Sequence, residues 1–160
     1  MRQIHVEASD AIDASPEIVY GIFADYHHEH PHILPKRYFT DLEVEEGGVG
    51  AGTVFRVASR RIFGASYPFR MTVAEPEPGR VLTETDLDSG LVTTFTVNPL
   101  DGGRRSDVRI ATVWRSKPGL AGFIEAVMSP TVMRRIYRSE LRQLAAYVHG
   151  KPATEARVEA

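Results

Sequence analysis

The sequence contains no cysteine among its 160 residues. Disulfide frameworks, thiolate nucleophiles, zinc–cysteine sites and cysteine-bound iron–sulfur clusters are thereby excluded. It also lacks an excess of either charge: the formal net charge is −2. No global basic field attracts a polyanion, and no nucleic-acid partner is expected. Long hydrophobic runs are missing as well. None is long enough to span a bilayer, so no stable membrane insertion is expected. The opening "MRQIHVEASDAI" alternates in polarity and has no continuous apolar stretch of the signal-peptide kind. These absences predict a soluble, cytoplasmic protein; a monomer or homodimer is expected. What is present is ordinary for a globular chain, with 42% hydrophobic and 25% charged residues. At this length one domain is expected over residues 1–149, with a polar tail at 150–160.

Periodicity divides the chain into a few elements. In "QIHVEA", Ile4, Val6 and Ala8 share one face, the period of a strand. "ASPEIVYGIFADY" changes to a helical period: Ser15 is placed to cap, Pro16 suits the first turn, and Glu17 complements the positive helix end. Pro31 and Pro35 limit the short helical segment that follows. From residue 38 to residue 116 the pattern is strands and turns. "RYFTDLEVEE" leads through the glycine-rich "GGVGAGT" into "VFRVASRRIF". In later strands Tyr67, Phe69, Met71 and Val73 align, as do Leu91, Thr93, Phe95 and Val97, and Val108, Ile110, Thr112 and Trp114. About seven strands joined by short turns predict an antiparallel meander. One long helix is expected over residues 120–148, carrying Ile124, Val127, Met128, Met133, Tyr137, Leu141, Leu144 and Val148 as its apolar stripe and kinked at Pro130.

The stretches "IDASPEIVYGIFADY", "LPKRYF", "GVGAGTVFRV", "GRVLTETD", "TTFTV" and "PTVMRRIYRSELRQLAAYV" occur in an order that resembles the START/Bet v 1-like (SRPBCC) superfamily. In particular, the chain is similar to bacterial polyketide cyclase/dehydrase-type proteins over about residues 2–149. The resemblance implies an α+β helix-grip fold, with a curved antiparallel sheet wrapped around the C-terminal helix and two short helices after the first strand. It also implies a cavity for lipids, sterols, polyketides or other apolar molecules, which some members cyclise or dehydrate and others only carry.

Four of the six histidines fall in "ADYHHEHPHILP": His27, His28, His30 and His32. Asp25, His27 and His32 look like a fragment of the D-x-H-x₄-H arrangement of Rieske-type oxygenases. With no cysteine there is no Rieske cluster, no later carboxylate is identifiable as a third ligand, and Pro31 interrupts the helical spacing. The bland reading is a polar helix–loop junction with its histidines partly in water. A pH-sensing or ligand-gating role and a metal site are the alternatives. No metal and no cofactor is expected.

The glycine loop lacks G-x-G-x-x-G and G-K-[ST] and lies between two strands, so it reads as a hairpin rather than a phosphate cradle. The carboxylates Glu43, Glu45 and Glu46, Glu75 and Glu77, and Asp86 and Asp88 read as solvated strand ends. Arg134, Arg138 and Arg142 read as a solvated helix face diluted by Glu140.

Strand parity assigns Phe55, Val57, Tyr67, Phe69, Met71, Thr93, Phe95, Ile110, Thr112 and Trp114 to the concave, ligand-binding face. Ile124, Met128, Met133 and Tyr137 face them from the helix. Trp114 is expected near the cavity mouth. No catalytic residue can be assigned. The leading expectation is a binder or carrier of a small apolar or amphipathic molecule, lipid-like or polyketide-like. The alternative is a cyclase/dehydratase acting in the same cavity.

Overall fold

The computed structural model describes residues 3–60, 66–115 and 129–159. Seven strands form one antiparallel sheet: β1 (Gln3–Ile12), β2 (Glu43–Glu46), β3 (Val54–Ala58), β4 (Pro68–Glu77), β5 (Val81–Asp86), β6 (Val92–Leu100) and β7 (Arg105–Arg115). Their spatial order is β1-β7-β6-β5-β4-β3-β2. The curved sheet, two short helices α1 (Pro16–Ala24) and α2 (His30–Ile33), and the C-terminal helix α3 (Pro130–Glu159) make the helix-grip architecture expected from the sequence. No helix among the described residues is long and apolar enough to cross a membrane.

Alternation turns one face of each strand inward. Phe69, Met71 and Val73 of β4, Phe95 and Val97 of β6, and Val108, Ile110 and Trp114 of β7 are all buried. Fully burying one such side chain contributes on the order of 1.5–3 kcal/mol. In α1, Ser15 accepts from the Ile18 N–H at 3.4 Å in the N-cap position, and Pro16 opens the helix without needing a donor. Val19, Ile22 and Phe23 then seal one end of the sheet, with the Phe23 ring 4.6 Å from that of Phe95.

Two expected element limits change. The N-terminal part of the expected long helix, with Ile124, Val127 and Met128, lies outside the described residues. Pro130 does not kink a continuous helix; it starts one. Ser129 is non-helical, its Oγ accepts from the Val132 N–H at 3.3 Å, and its carbonyl accepts from Met133 at 2.9 Å. A proline in the first turn lacks an N–H that no helix bond would use, so it favours a fresh start there. At the other end, α3 runs to Glu159, through the stretch that the sequence reads as a polar tail.

Strand β2 is also shorter than the stretch "RYFTDLEVEE", which contributes only an isolated bridge, Phe39 to Ser59, before it. The loop between β2 and β3 folds back onto the end of α1. Gly48 accepts from Tyr26 N–H at 2.8 Å, and Gly50 donates to the Ala24 carbonyl at 2.9 Å. Gly48 has φ 139°, and a Cβ there would overlap the His27 ring. The glycine is needed both for its backbone angle and for the close approach.

Candidate functional site

A cavity of about 80 Å³ lies between the concave sheet and α3. Its walls are apolar: Phe55, Val57, Phe69, Met71, Leu91 and Phe95 from the sheet side, Met133 and Ile136 from the helix, and Leu34, Phe39 and Leu42 from the segment after α2. The polar lining is sparse: His30, Ser59, Glu84, Thr93, Tyr137 and Glu140. A mostly apolar hollow with a few placed polar groups is the general form of a small-molecule site.

Two of these polar groups, Glu84 and Thr93, lie in one cross-strand row. Val73 pairs with Glu84, Glu84 with Thr93, Thr93 with Thr112, and Thr112 with Val6. Partners directly opposite in an antiparallel sheet project to the same face. The row therefore lays a carboxyl and two hydroxyls across the middle of the concave surface. Thr93 and Thr112 share a 2.7 Å hydrogen bond, and Tyr137 reaches down from α3 to bond Thr112. Burial holds the Tyr137 phenol above its ordinary pKa, so it stays protonated.

Beside this chain stands a second group. Asp25 organises the turn after α1: its side chain accepts from the N–H groups of His27 at 3.1 Å and His28 at 3.0 Å, and its carbonyl accepts from His30 at 2.7 Å. The turn aims His30 inward, where it is only 2% exposed. The ring stacks on Tyr26 at 4.6 Å, and its Nδ1–H donates to the Phe23 carbonyl at 2.8 Å. That bond fixes the tautomer and leaves Nε2 as an acceptor. Nε2 faces Glu84 Oε1 at 3.7 Å and Glu140 Oε1 at 4.0 Å. Tyr26 OH donates to Glu84 Oε1 at 2.7 Å.

These contacts are not ion pairs, because burial drives all three groups toward neutrality. It lowers His30 to about 4 despite the opposing bond to Phe23. It raises Glu84 to about 7, against the smaller effect of the Tyr26 bond. Glu140 is pushed well above the usual carboxylate range, first by burial and then by the proximity of Glu84. Desolvation penalises whichever form is charged, hence the opposite directions for imidazole and carboxyl. Glu140 Oε1 has no hydrogen-bond partner among the described residues.

Of the residues that strand parity assigns to the site, Phe55, Val57, Phe69, Met71, Thr93, Phe95, Met133 and Tyr137 surround this cavity. Tyr67, Ile110, Thr112 and Trp114 are buried on the same face but stand outside its described lining. Tyr67 is held by its hydroxyl to Asp86 at 3.0 Å. Thr112 is covered by Thr93 and Tyr137, and Ile110 is fully buried beside Phe95. Trp114 is 3% exposed, and its Nε1 has no partner among the described residues. Ile124 and Met128 lie outside the described residues.

Three readings of polar residues are corrected. His30 is not at a solvated junction, although His27, His28 and His32 are exposed as expected. Asp86 is not a solvated strand end: it is 0% exposed and accepts from Tyr67, Ser89 and the Arg70 N–H. Glu140 does not dilute the basic face. Arg134, Arg138 and Arg142 are exposed, whereas Glu140 points inward and is 4% exposed. Glu84 is missed altogether by the sequence reading. A signal for it is present, since "VLTETD" places Leu82, Glu84 and Asp86 on one side of a strand. For Glu140 the signal is its spacing from Met133, Tyr137 and Leu144 on the apolar stripe.

Residues 3–149 match the model of the family described as polyketide cyclase / dehydrase and lipid transport. Among solved structures, the KanY protein is similar at 31% identity and TM-score 0.79, the alignment covering 93% of this chain and 99% of that one. The Zhui aromatase/cyclase from Streptomyces sp. R1128 aligns at 18% identity and TM-score 0.70, covering 92% and 94% of the two chains. Ara h 8.0201 aligns at 14% identity and TM-score 0.64, covering 94% and 100%. These last two share the fold. Among curated proteins, none matches the chain. The chain thus belongs to the polyketide cyclase/dehydrase and lipid transport family and has a Bet v 1-like, SRPBCC fold.

Proposed function

We propose that this protein binds a small hydrophobic or amphipathic molecule, lipid-like or polyketide-like, in the cavity between β3–β6 and α3. The observation that carries this reading is the lining: aromatic, aliphatic and methionine walls with few polar groups, all of them buried. Apolar burial supplies affinity, and Thr93, Tyr137 and the carboxyls orient the ligand. The family description, which includes lipid transport, supports it.

A second reading, a cyclase or dehydratase acting in the same cavity, is favoured by the placement of Glu84 and Glu140 against His30. A carboxyl held neutral in an apolar site can donate a proton to a carbonyl oxygen, and a neutral imidazole can accept one. The fold itself does not decide between carrier and catalyst.

Native mass spectrometry of the purified protein tests the binding reading. A small molecule retained by the wild type and lost in Val57→Phe, which narrows the cavity, is the expected result. A spectrum of bare protein, together with no saturable binding of any apolar probe, would reject it. Product analysis with poly-β-ketone mimics separates the two readings: a cyclised or dehydrated product that disappears in Glu140→Gln makes the protein an enzyme.

A further inference from the structure

The polar end of the cavity brings three hydrogen-bonding groups together beyond hydrogen-bond reach of one another. His30 Nε2 is an acceptor because Nδ1 carries the proton. Glu84 Oε1 stands 3.7 Å from it and Glu140 Oε1 4.0 Å, both beyond hydrogen-bond length. Glu140, 4% exposed, aims an oxygen with no partner among the described residues into the same space. From the other packed elements the groups nearby are the hydroxyls of Tyr26, Thr93 and Tyr137, and no lysine or arginine is among the described lining residues.

We infer that this end of the cavity is built for a primary ammonium group, and that the ligand is a compact amphipathic amine whose apolar body rests against Phe55, Phe69, Met71 and Phe95. The inference rests on the binding reading above and deepens it.

Three facts select an ammonium over other donors. It carries three N–H bonds, which suit His30 Nε2, the unpartnered Glu140 Oε1 and Glu84 Oε1 on the side away from Tyr26, whereas a hydroxyl carries one. Its charge compensates a carboxylate in a place where an uncompensated one is strongly disfavoured. It is small, as a cavity of about 80 Å³ demands, while the planar guanidinium fork is larger and pairs with a single carboxylate edge. A metal ion is the other cation such a set suggests, but the described histidines and carboxylates are not arranged to hold one.

Protons and charge balance on binding. The ligand enters as R–NH₃⁺ and keeps its three protons. One neutral carboxyl of the Glu84–Glu140 pair releases its proton to solvent and becomes the counter-ion. Binding therefore strengthens as pH rises through the range in which the carboxyls ionise. An alkylammonium resembles the lysine side chain and keeps its charge to about pH 10.

Calorimetric titration of the wild type with n-hexylamine, hexan-1-ol and hexanoic acid at pH 6 and pH 8 tests this. At pH 8 hexylamine is expected to bind at least tenfold tighter than hexanol, with hexanoic acid weakest. Hexylamine alone should weaken about tenfold at pH 6, the change in ionised fraction for a carboxyl titrating near 7. In Glu140→Gln the amine-to-alcohol ratio should collapse to within about twofold. That ratio is taken within one variant, so a general loss of affinity does not mimic the effect. Should the variant not fold, the wild-type pH dependence decides. Hexanol binding as tightly as hexylamine, or an amine affinity insensitive to pH or to Glu140→Gln, overturns the inference and leaves the binding reading standing. No saturable heat with any of the three overturns the inference, and native mass spectrometry then decides the binding reading separately.

Discussion

Replacing Glu84 with glutamine should change how stability depends on pH, and by an amount the structure sets. In the folded protein Glu84 titrates near 7, against 4.5 for an unperturbed glutamate, because burial disfavours its charged form. Below pH 4.5 the group is protonated in both the folded and unfolded chains, and the stability associated with its neutral burial is fully present. As pH rises the unfolded chain loses this proton first, so stability falls until the folded group also ionises near 7. A gap of that size, at about 1.4 kcal/mol per pH unit, amounts to about 3 kcal/mol. The substituted amide cannot ionise, and its carbonyl can still accept the Tyr26 hydroxyl. The difference in unfolding free energy, Glu84→Gln minus wild type, should therefore be nearly constant below pH 4.5. It should grow by about 3 kcal/mol up to pH 7 and level off above. Groups remote from Glu84 titrate alike in both proteins and cancel in the difference; Glu140 keeps its burial effect in the variant but loses the part that comes from Glu84. Urea denaturation at half-unit steps from pH 4 to pH 8, with m values checked for constancy, measures it. Parallel stability profiles for the two proteins would refute the buried neutral state of Glu84.

Other perturbations test neighbouring parts of the structure. His30, lowered to about 4, should show the neutral Nδ1–H form in ¹⁵N-detected imidazole spectra from pH 8 down to pH 5; the stability from its neutral burial is whole above pH 6.5 and lost as pH falls toward 4. Tyr26→Phe removes the donor to Glu84, so thermal or urea unfolding should show a loss of about 1–3 kcal/mol. The same change should move the Glu84 titration upward, because the lost bond lowers it. Asp86→Ala removes the fully buried carboxylate that accepts from the Tyr67 and Ser89 hydroxyls and the Arg70 N–H, and should cost about 3 kcal/mol or more by urea unfolding. Gly48→Ala forces a side chain into a positive-φ position against His27 and should lower stability by about 1–3 kcal/mol in the same assay.

The architecture is legible because it follows from local rules. Alternation in β4, β6 and β7 is strict: Tyr67, Phe69, Met71 and Val73 are buried together, as are Val108, Ile110, Thr112 and Trp114. The same regularity places Phe55, Val57, Thr93 and Phe95 on the face that holds the cavity. Local rules fail where a polar residue takes an interior position. In "VLTETD" Asp86, grouped with Asp88, suggests a solvated strand end, and Glu84 draws no reading. Leu82 is the better guide, since a strand that buries Leu82 must also turn Glu84 and Asp86 inward. Pro130 misleads in a related way: a proline inside a helical pattern reads as a kink unless the cap before it, Ser129, is weighed as well.

What the sequence determined by itself, then, is the order of elements, the inward parity of the strands and the apolar stripe of the last helix. Those depend on repeat distances of two and about 3.6 residues, which any short window reveals. The chemistry of the interior, by contrast, arises from the packing of distant elements. His30, Glu84 and Glu140 lie on α2, β5 and α3, separated by 54 and 56 positions in the chain. Each alone looks like a surface residue. Their meeting depends on how α3 lies across the concave sheet and on the turn that Asp25 organises after α1, and the low-dielectric space so enclosed then shifts their proton affinities. Protonation in such a place is a property of the enclosure, and no window of sequence contains it.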